Sequence, residues 1–431
     1  VFVCRCCSMR ASALCVLLGL YAHLTTFSMF VQGVSGYELP SPQLSSALSA
    51  RGALKNNLLI RAARGERVEK TPVWVFRQAG RHLPEYNAYK LEKNKNFLEM
   101  LRDPNDVAEV TMQPIRRYNL DAAILFSDIL VVLQALGFEV AMPGGLGITV
   151  PNPITSVEDF HARMPVDRID IHEKLPHVIQ SVKLIKQQLE DKIPLIGFSG
   201  APWTLMFYLL GGTSKKNKNV GSDWLQQHPV ESTQLLDRLT TVVIDYLSAQ
   251  IDAGADIIQV FEAMGDFISI EHFHTFALPC LTRIASELKL KYPDIPLMVF
   301  PKGASYSLEA LQSAGYDVVT LDTQVDRNTI RGRLQAERAR QQELKQADQD
   351  GIRSTAQVCT QRDTTTGVCI QGNFDVKLLR KGTTDNPGHS VSDIQRATED
   401  MLRVLGPQRL IANLGEGLTG AEDPVLVAAF I

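Results

Sequence analysis

Several common catalytic signatures are missing from the sequence. It contains no phosphate-binding G-x-x-x-x-G-K-[ST] loop, no G-x-S-x-G turn and no H-E-x-x-H zinc motif. Its 9 histidines stand at no spacing typical of metal ligands, and we expect His272 and His274 to lie at the surface. The sequence therefore predicts neither a metal nor a cofactor, and any chemistry must rest on arginine, carboxylate, tyrosine and backbone groups.

Cysteine is scarce beyond the first 15 residues. Four of the 7 cysteines precede that point, and the other three are Cys280, Cys359 and Cys369. Three widely spaced cysteines provide neither a disulfide framework nor the spacing of a zinc site. This distribution predicts that the mature protein works in a reducing compartment.

Acidic residues are almost absent from the first 65 residues, which contain only Glu38. The run "ASALCVLLGLYAHL" follows Arg5 and Arg10 and has about the length of a signal peptide, but it is too short for a membrane span. The stretch "SPQLSSALSARGALKNN" resembles a transit peptide. We predict that residues 1–56 are a targeting segment for two-step import into a plastid, with no stable membrane insertion after processing. A plain secretory signal, another organelle and the cytoplasm are the alternatives.

Eight short apolar runs recur after Thr71, separated by segments of helical character. They are "PVWVFRQ", "LDAAILFSD", "IPLIGFSGAP", "ADIIQVFEA", "IPLMVFPKG", "YDVVTLD", "GVCIQGNFD" and "RLIANLGEG". Continuous apolar runs are typical of strands buried on both faces of a parallel sheet. The sequence predicts an α/β fold, a (β/α)8 TIM barrel over residues 57–431. A doubly wound open sheet is the alternative, but no G-x-G-x-x-G follows the first run.

Nearly every run ends in a polar residue. In such a barrel the carboxyl ends of the strands meet at one face, where active sites are built. We therefore predict a functional mouth lined by these ends: Arg77, Asp128, Ser199, Glu262, Lys302, Asp322, Asn373 and Asn413.

Two segments interrupt the alternation. The stretch "VAMPGGLGITVPNPI" predicts a glycine-rich loop or hairpin beside the mouth. A polar insertion at about 327–366 predicts a helix followed by a disordered loop that carries no chemistry.

Arg77 and Arg81 form a local cluster of positive charge. A net charge of −3 argues against a general nucleic-acid binder, so anion binding must come from such clusters. Arginine binds carboxylates bidentately, and Gly80 between the pair allows close backbone approach. The pattern fits a substrate with several carboxylates; a structural ion-pair cluster with Glu85 or a helix terminus is the alternative.

Asp128 in "ILFSDILVV" has apolar neighbours on both sides. Such a carboxylate is desolvated and requires hydrogen-bond donors or a counter-charge. Arg77, Arg81 or a ligand would supply them, although a cap for the helix "ILVVLQAL" is an alternative role. In "GFSGAPWTLMFYLLGG" we expect Trp203 to lie in the core and Tyr208 to offer its hydroxyl to the mouth.

The segments "PVWVFRQAGRHLPEY", "LDAAILFSDILVVLQALG", "PLIGFSGAPWTLM", "ALPC" and "LIANLGEGL" together resemble those of uroporphyrinogen decarboxylases. The resemblance runs from about Asn57 to the C-terminus, apart from the insertion at about 327–366 and a smaller one near residues 382–390. It implies a (β/α)8 barrel, usually a homodimer. It also implies cofactor-free removal of carbon dioxide from the four acetate arms of uroporphyrinogen, giving coproporphyrinogen in haem and chlorophyll synthesis.

The resemblance also implies roles for individual residues. Arg77 and Arg81 would bind carboxylates, with Arg77 a candidate proton donor, and Asp128 would accept the pyrrole N–H groups and stabilise a cationic intermediate. The matching substrate-binding positions are Arg77, Gln78, Ala79, Gly80, Arg81, Asp128, Tyr208, Ala263 and Glu416.

Two of these positions depart from the family pattern. Ala263 stands where the family has serine, and Glu416 where it has histidine. A further three positions that often carry tyrosine or arginine hold His82, Asn87 and Lys90. Each change is expected to weaken anion binding. A catalytically impaired porphyrinogen-binding or regulatory paralogue is therefore the alternative function, followed by a related barrel with another carboxylated or methylated substrate.

Overall fold

The computed structural model describes residues 53–143, 147–213, 218–351, 369–382 and 388–431. The chain divides into two units, Val1–Ala53 and Leu54–Ile431. The predicted targeting segment lies outside the described residues as far as residue 52. Within the second unit, the Lys55 N–H already donates to the Asp191 carbonyl at 2.8 Å, so the ordered fold is established from its first residues.

Seven strands form one parallel sheet whose spatial order follows the chain. They are β1 Ala123–Ile124, β2 Leu195–Gly200, β3 Ile257–Glu262, β4 Leu297–Pro301, β5 Val318–Thr320, β6 Cys369–Gln371 and β7 Leu410–Ile411. Each lies inside one of the predicted apolar runs, and all of their residues are buried except Phe261, which is partly exposed. Apolar runs thus became strands covered on both faces, as expected for a parallel sheet.

The first apolar run closes this sheet into a barrel. Val73 forms a parallel bridge with Ala412, which directly follows β7. On its other side the Val73 carbonyl accepts a 2.8 Å hydrogen bond from the N–H of Asp121, shortly before β1. Residues 72–76 therefore complete the ring as its eighth member. The predicted (β/α)8 barrel is confirmed, and the open doubly wound alternative is wrong.

Helices alternate with the strands and cover the outside of the barrel. Several of them begin with proline. Proline lacks a backbone N–H, which costs nothing in the first turn because an N–H there has no acceptor within the helix, and its fixed φ is helical. Within the described parts of the chain, no helix combines the length and apolarity needed to cross a membrane. The α-helices of the described residues are Leu58–Ala63, Pro84–Lys93, Phe97–Leu101, Pro104–Arg117, Val131–Ala135, Val157–Arg163, Ile171–Lys174, Pro176–Leu189, Pro202–Gly211, Val220–Gln227, Pro229–Ala253, Ile270–His272, Leu278–Lys291, Leu308–Ser313, Ile330–Gly351, Val391–Leu405 and Pro424–Phe430.

A polar network crosses the barrel interior. The indole Nε1 of Trp74 donates to Oε1 of Gln371 at 2.8 Å. Nε2 of Gln371 in turn donates to Oε1 of Gln259 at 3.1 Å and to Oγ1 of Thr320 at 2.9 Å. All four side chains are buried, so these bonds satisfy groups that have no access to water.

An aromatic layer lies one step closer to the carboxyl ends of the strands. Phe76 follows Trp74 by two residues, and its ring stacks on that of Phe300 with centroids 5.0 Å apart. Phe261 packs against Phe76 and also against Phe198, with centroids 5.6 Å and 5.5 Å apart. These four rings form the apolar floor of the mouth.

Both interruptions of the barrel are present as local elements. An antiparallel bridge between Ala141 and Thr149 forms the predicted hairpin, whose residues 144–146 lie outside the described residues. The helix Ile330–Gly351 occupies the first half of the predicted insertion. Residues 352–368 of that insertion, and 383–387 of the smaller one, also lie outside the described residues.

Candidate active site

Arg77 directly follows the aromatic layer and is exposed at the carboxyl end of the first strand segment. Its φ of +58° places it in the left-handed region that non-glycine residues seldom adopt, a feature that is enriched at functional sites. The side chain passes beside Gly417, where a Cβ atom would lie 2.8 Å from the Arg77 Cδ. Among the residues that the structure describes, none forms an ion pair with Arg77. Its guanidinium is therefore available to a ligand.

Arg81 lies against the same loop as Arg77. Its Nη2 donates to the carbonyl oxygen of Thr419 at 2.8 Å. A Cβ atom at Gly420 would lie 2.8 Å from the Arg81 Cβ, so this glycine also makes room for an arginine. The glycines of the loop after β7 thus allow both predicted arginines to pack closely against it.

The three residues between the arginines differ in their placement. Gln78 is fully buried, and its Nε2 donates to the Ala122 carbonyl at 3.3 Å while its Oε1 has no partner. Ala79 and Gly80 are partly exposed, and Gly80 has a φ of +147° that favours glycine. The exposed side chains of the two arginines can therefore contact a ligand at the mouth. The Gln78 side chain instead bonds the turn to the neighbouring strand segment.

Asp128 is half-buried in the turn after β1. One carboxylate oxygen accepts a 2.8 Å hydrogen bond from the N–H of Leu130. Burial raises the pKa of Asp128 from its ordinary value of 3.8 to about 6, against the opposing effects of the Leu130 N–H and the charge of Arg77. The structure thus brings Arg77 and Asp128 within electrostatic range, and Asp128 remains ionised at neutral pH.

Tyr208 lies on the helix Pro202–Gly211, whose residues are all buried. Its own side chain is 7% exposed, and its ring packs edge to face near Phe207. Trp203 on the same helix is fully buried, and its indole nitrogen donates to the Met264 carbonyl at 3.0 Å. Trp203 is a core residue, as predicted.

Glu262 does not line the mouth, contrary to the prediction for polar strand ends. Because side chains alternate along a strand and Phe261 faces the interior, Glu262 points outward to the helices. Its Oε1 accepts hydrogen bonds from Oγ1 of Thr204 at 2.6 Å and from the N–H of Met264 at 3.0 Å. Burial raises its pKa to about 7. The next residue, Ala263, is partly exposed at the barrel end, and its N–H donates to the same Thr204 Oγ1.

Four other predicted strand ends are also structural rather than exposed to the mouth. Their side chains are buried and form hydrogen bonds, in one case within the same strand (Ser199) and in the others to loops or a neighbouring strand (Asp322, Asn373 and Asn413). The prediction that all eight ends line the mouth is therefore wrong. A polar residue at a strand end also serves to satisfy the backbone of the turn that follows.

Lys302 and Glu416 form an ion pair that sequence spacing could not reveal. Lys302 Nζ lies 3.4 Å from Oε2 of Glu416. Lys302 follows Phe300 by two residues and so lies on the same side of its strand, above the aromatic floor. Glu416 is thus joined to a lysine at the mouth and to neither of the two predicted arginines.

His82 also departs from the expected anion-binding surface. It is buried at 3% exposure, stacked 6.5 Å from the ring of Tyr118. Burial lowers its pKa to about 4, so it is neutral at neutral pH. Asn87 is used locally, since its Nδ2 donates to the Arg81 carbonyl at 2.8 Å, and Lys90 is exposed. His82 is buried away from the mouth, so its placement does not support the prediction that it weakens anion binding there.

The described residues contain no group of three or more His, Cys, Asp or Glu side chains arranged to hold a metal ion. The arrangement consists instead of three cationic side chains and two carboxylates around an aromatic floor. Such a mouth can bind a polyanion and hold a carboxylate against a positively charged or N–H-donating ligand.

Comparison with known proteins finds relatives along the whole barrel. The family described as uroporphyrinogen decarboxylase (URO-D) matches residues 54–431. Curated uroporphyrinogen decarboxylases from Salinibacter ruber and Danio rerio are 38% and 39% identical, each over 88% of this chain and over 95% and 92% of the relative. Among solved structures, a methyltransferase from Methanosarcina mazei has a TM-score of 0.65 at 19% identity, covering 88% of this chain and 97% of that one. At that identity, the structural likeness supports the barrel fold alone.

Proposed function

The chain belongs to the uroporphyrinogen decarboxylase family, and from this premise we propose that it is a carboxy-lyase acting on uroporphyrinogen. It would remove carbon dioxide from the four acetate side chains to give coproporphyrinogen, in haem and chlorophyll biosynthesis. The observation that carries the proposal is the placement of Arg77 and Asp128 at one barrel end, each without an ion-pair partner in the described parts of the chain.

The arginines would bind the carboxylates of the substrate. Uroporphyrinogen carries eight carboxylates around its ring, and guanidinium groups bind such groups with two parallel hydrogen bonds. Arg77 has no competing ion pair among the described side chains, and Arg81 is fixed by Thr419 beside it. Once a substrate covers the mouth, the apolar floor next to Arg77 lowers the local dielectric and strengthens these contacts.

Asp128 would bind the pyrrole N–H groups at the centre of the substrate. Its second oxygen, Oδ2, is not engaged by the Leu130 N–H that holds Oδ1. When a ring carbon is protonated, with Arg77 the candidate donor, the resulting positive charge develops next to this carboxylate. A fixed charge facing a developing opposite charge lowers the barrier by several kcal/mol. For each acetate, carbon dioxide leaves and one proton takes its place, so no redox cofactor or metal is required.

The test is a decarboxylation assay with anaerobic uroporphyrinogen and chelator, followed by chromatography that separates products by carboxylate number. We expect products with fewer than eight carboxylates, and a kcat about 10²–10³-fold lower in Asp128→Asn. Absence of such products, where the Danio rerio relative turns over, would overturn the enzyme proposal. Tight binding without turnover would support the impaired paralogue, for which Ala263 and Glu416 are the motivating residues.

We also propose a homodimer, on the strength of family membership alone. Light scattering after size-exclusion chromatography gives the molar mass of the particle directly. A mass near that of one 47.7 kDa chain, or of one chain after leader removal, would contradict the proposal.

The targeting proposal rests on composition, since residues 1–52 lie outside the described residues. We propose that residues 1–56 direct import into a plastid. A fluorescent protein carrying this segment should accumulate in plastids, and secretion of the fusion would favour the plain secretory signal.

A further inference from the structure

Lys302 lies above the aromatic floor, on the strand next to the one that carries Phe261. The rings of Phe76 and Phe300 stack directly, so the residues that follow them rise from neighbouring points of the same floor. Arg77 directly follows Phe76, where its left-handed φ of +58° turns the chain, and Lys302 follows Phe300 by two residues. Lys302 continues its strand beyond β4, because its N–H donates to the Glu262 carbonyl at 2.9 Å.

Glu416 lies between these two cations. The next residue, Gly417, packs against the Arg77 side chain, while the preceding Gly415 packs against Thr323. The backbone at Glu416 is therefore fixed on both sides. From this position its carboxylate bonds to Lys302, and in the described structure neither Lys302 nor Glu416 has another ion pair.

The pair is weakly held. Its separation of 3.4 Å is long for a charge-assisted hydrogen bond, and the two side chains are 40% and 36% exposed. Ion pairs with this degree of exposure are stabilised little, because water and salt compete for both partners. An incoming carboxylate can therefore replace Glu416 as the partner of Lys302.

We propose that Lys302 is a carboxylate-binding residue of the mouth and that Glu416 holds it until a substrate carboxylate takes its place. The inference rests on the proposed function, because it needs a polycarboxylate substrate. Glu416 then competes with the substrate carboxylate for Lys302, in addition to repelling the polyanion. Glu416 would position a third cation next to the arginines rather than only repel the substrate.

A competing explanation is that Lys302 merely neutralises Glu416. The two explanations differ when Glu416 is already uncharged. If Lys302 binds substrate, Lys302→Met in a Glu416→Gln background still weakens binding. If Lys302 only offsets the glutamate, the same change has no effect in that background.

The experiment compares wild type, Glu416→Gln, Lys302→Met and the double variant. KM is measured with anaerobic uroporphyrinogen, and equilibrium binding is measured with uroporphyrin, the oxidised octacarboxylate that is not turned over. Lys183→Met, an exposed lysine on the outer helix Pro176–Leu189, is the matched control for loss of one positive charge. Circular dichroism confirms that each variant is folded.

We expect Glu416→Gln to lower KM about threefold and the double variant to have a KM about tenfold above that of Glu416→Gln, the loss of one charge-assisted contact. Both effects should shrink at high salt. Equal KM and equal uroporphyrin affinity for Glu416→Gln and the double variant would overturn the role of Lys302 while leaving the decarboxylase proposal intact. A wild-type protein that neither binds uroporphyrin nor turns over uroporphyrinogen would overturn both.

Discussion

Replacing Asp128 by asparagine exchanges a carboxylate for a neutral amide of nearly the same shape. The amide oxygen can still accept the hydrogen bond from the Leu130 N–H, so the turn after β1 should keep its conformation. What is lost is the negative charge next to the pyrrole nitrogens and the developing cation. Removal of one such preorganised group costs about 3–4 kcal/mol of transition-state stabilisation, which lowers kcat by about 10²–10³-fold.

The same change should stabilise the folded protein at neutral and alkaline pH. The pKa of Asp128 rises from 3.8 to about 6 on folding, so the folded state favours the protonated form and ionisation above pH 6 opposes folding. Each pKa unit corresponds to about 1.4 kcal/mol, and discounting for partial exposure gives a gain of about 1–3 kcal/mol for Asp128→Asn at pH 8. Because protonation removes the penalty, the gain should shrink as the pH falls from 6 toward 4.

The assay is urea unfolding followed by circular dichroism at several pH values between 5 and 8, with kcat measured on the same preparations. Asp393→Asn is the control, for which the stability change should have the opposite sign. Hydrogen bonds from Ser390 and the charge of Arg396 lower the pKa of Asp393 to about 2, so loss of this carboxylate should destabilise the folded protein. Full turnover by Asp128→Asn would refute the catalytic role of the carboxylate. A variant less stable than wild type at pH 8 would refute the desolvation argument.

Two other predictions concern the shape of the mouth and a buried ring. Gly417→Ala places a methyl group within about 3 Å of the Arg77 side chain. We expect this variant to raise KM about tenfold and to change the free energy of unfolding by less than about 1 kcal/mol. The control is Gly332→Ala, because a Cβ atom at that position meets nothing within 4 Å. An unchanged KM would contradict the expectation that the position of the Arg77 side chain controls substrate binding. For His82, whose pKa falls to about 4, the unfolded chain takes up a proton below pH 6.5, so wild-type stability should fall by about 2 kcal/mol between pH 7.5 and pH 5. His82→Phe should reduce that slope, and identical slopes would contradict the assignment.

The strands could be predicted from the sequence because their signal is local. Each apolar run is long enough to need burial on both faces, and eight such runs in alternation with helices leave few architectures. The closure between Val73 and Ala412 agrees with that reasoning. The two arginines were also visible, since a pair of cations beside a buried strand is a local pattern.

The side-chain directions at the mouth could not be predicted in the same way. Glu262 and Lys302 both stand at the ends of apolar runs. Glu262 points away from the barrel interior and accepts buried hydrogen bonds, whereas Lys302 lies above the aromatic floor. The direction of each side chain depends on whether it lies an even or an odd number of residues from a side chain that faces the interior. The apolar runs do not locate the strand ends to within one residue, so this direction cannot be predicted from the sequence. The partner of Glu416 lies 114 residues away, so only the folded barrel brings Lys302 to it.

The closure of the barrel has a consequence for how the chain acquires its structure. The segment that begins the ring, residues 72–76, bonds to residues 412 and 418 near the end of the chain. During synthesis on a ribosome, Trp74 and its neighbours therefore emerge long before one of their two flanking strands exists. Contacts so distant in sequence slow folding and leave strand edges open to aggregation. Residues 72–76 can therefore pair with their second neighbour only after Ala412 has been made, and a chain that stops before Ala412 lacks the strand that closes the barrel.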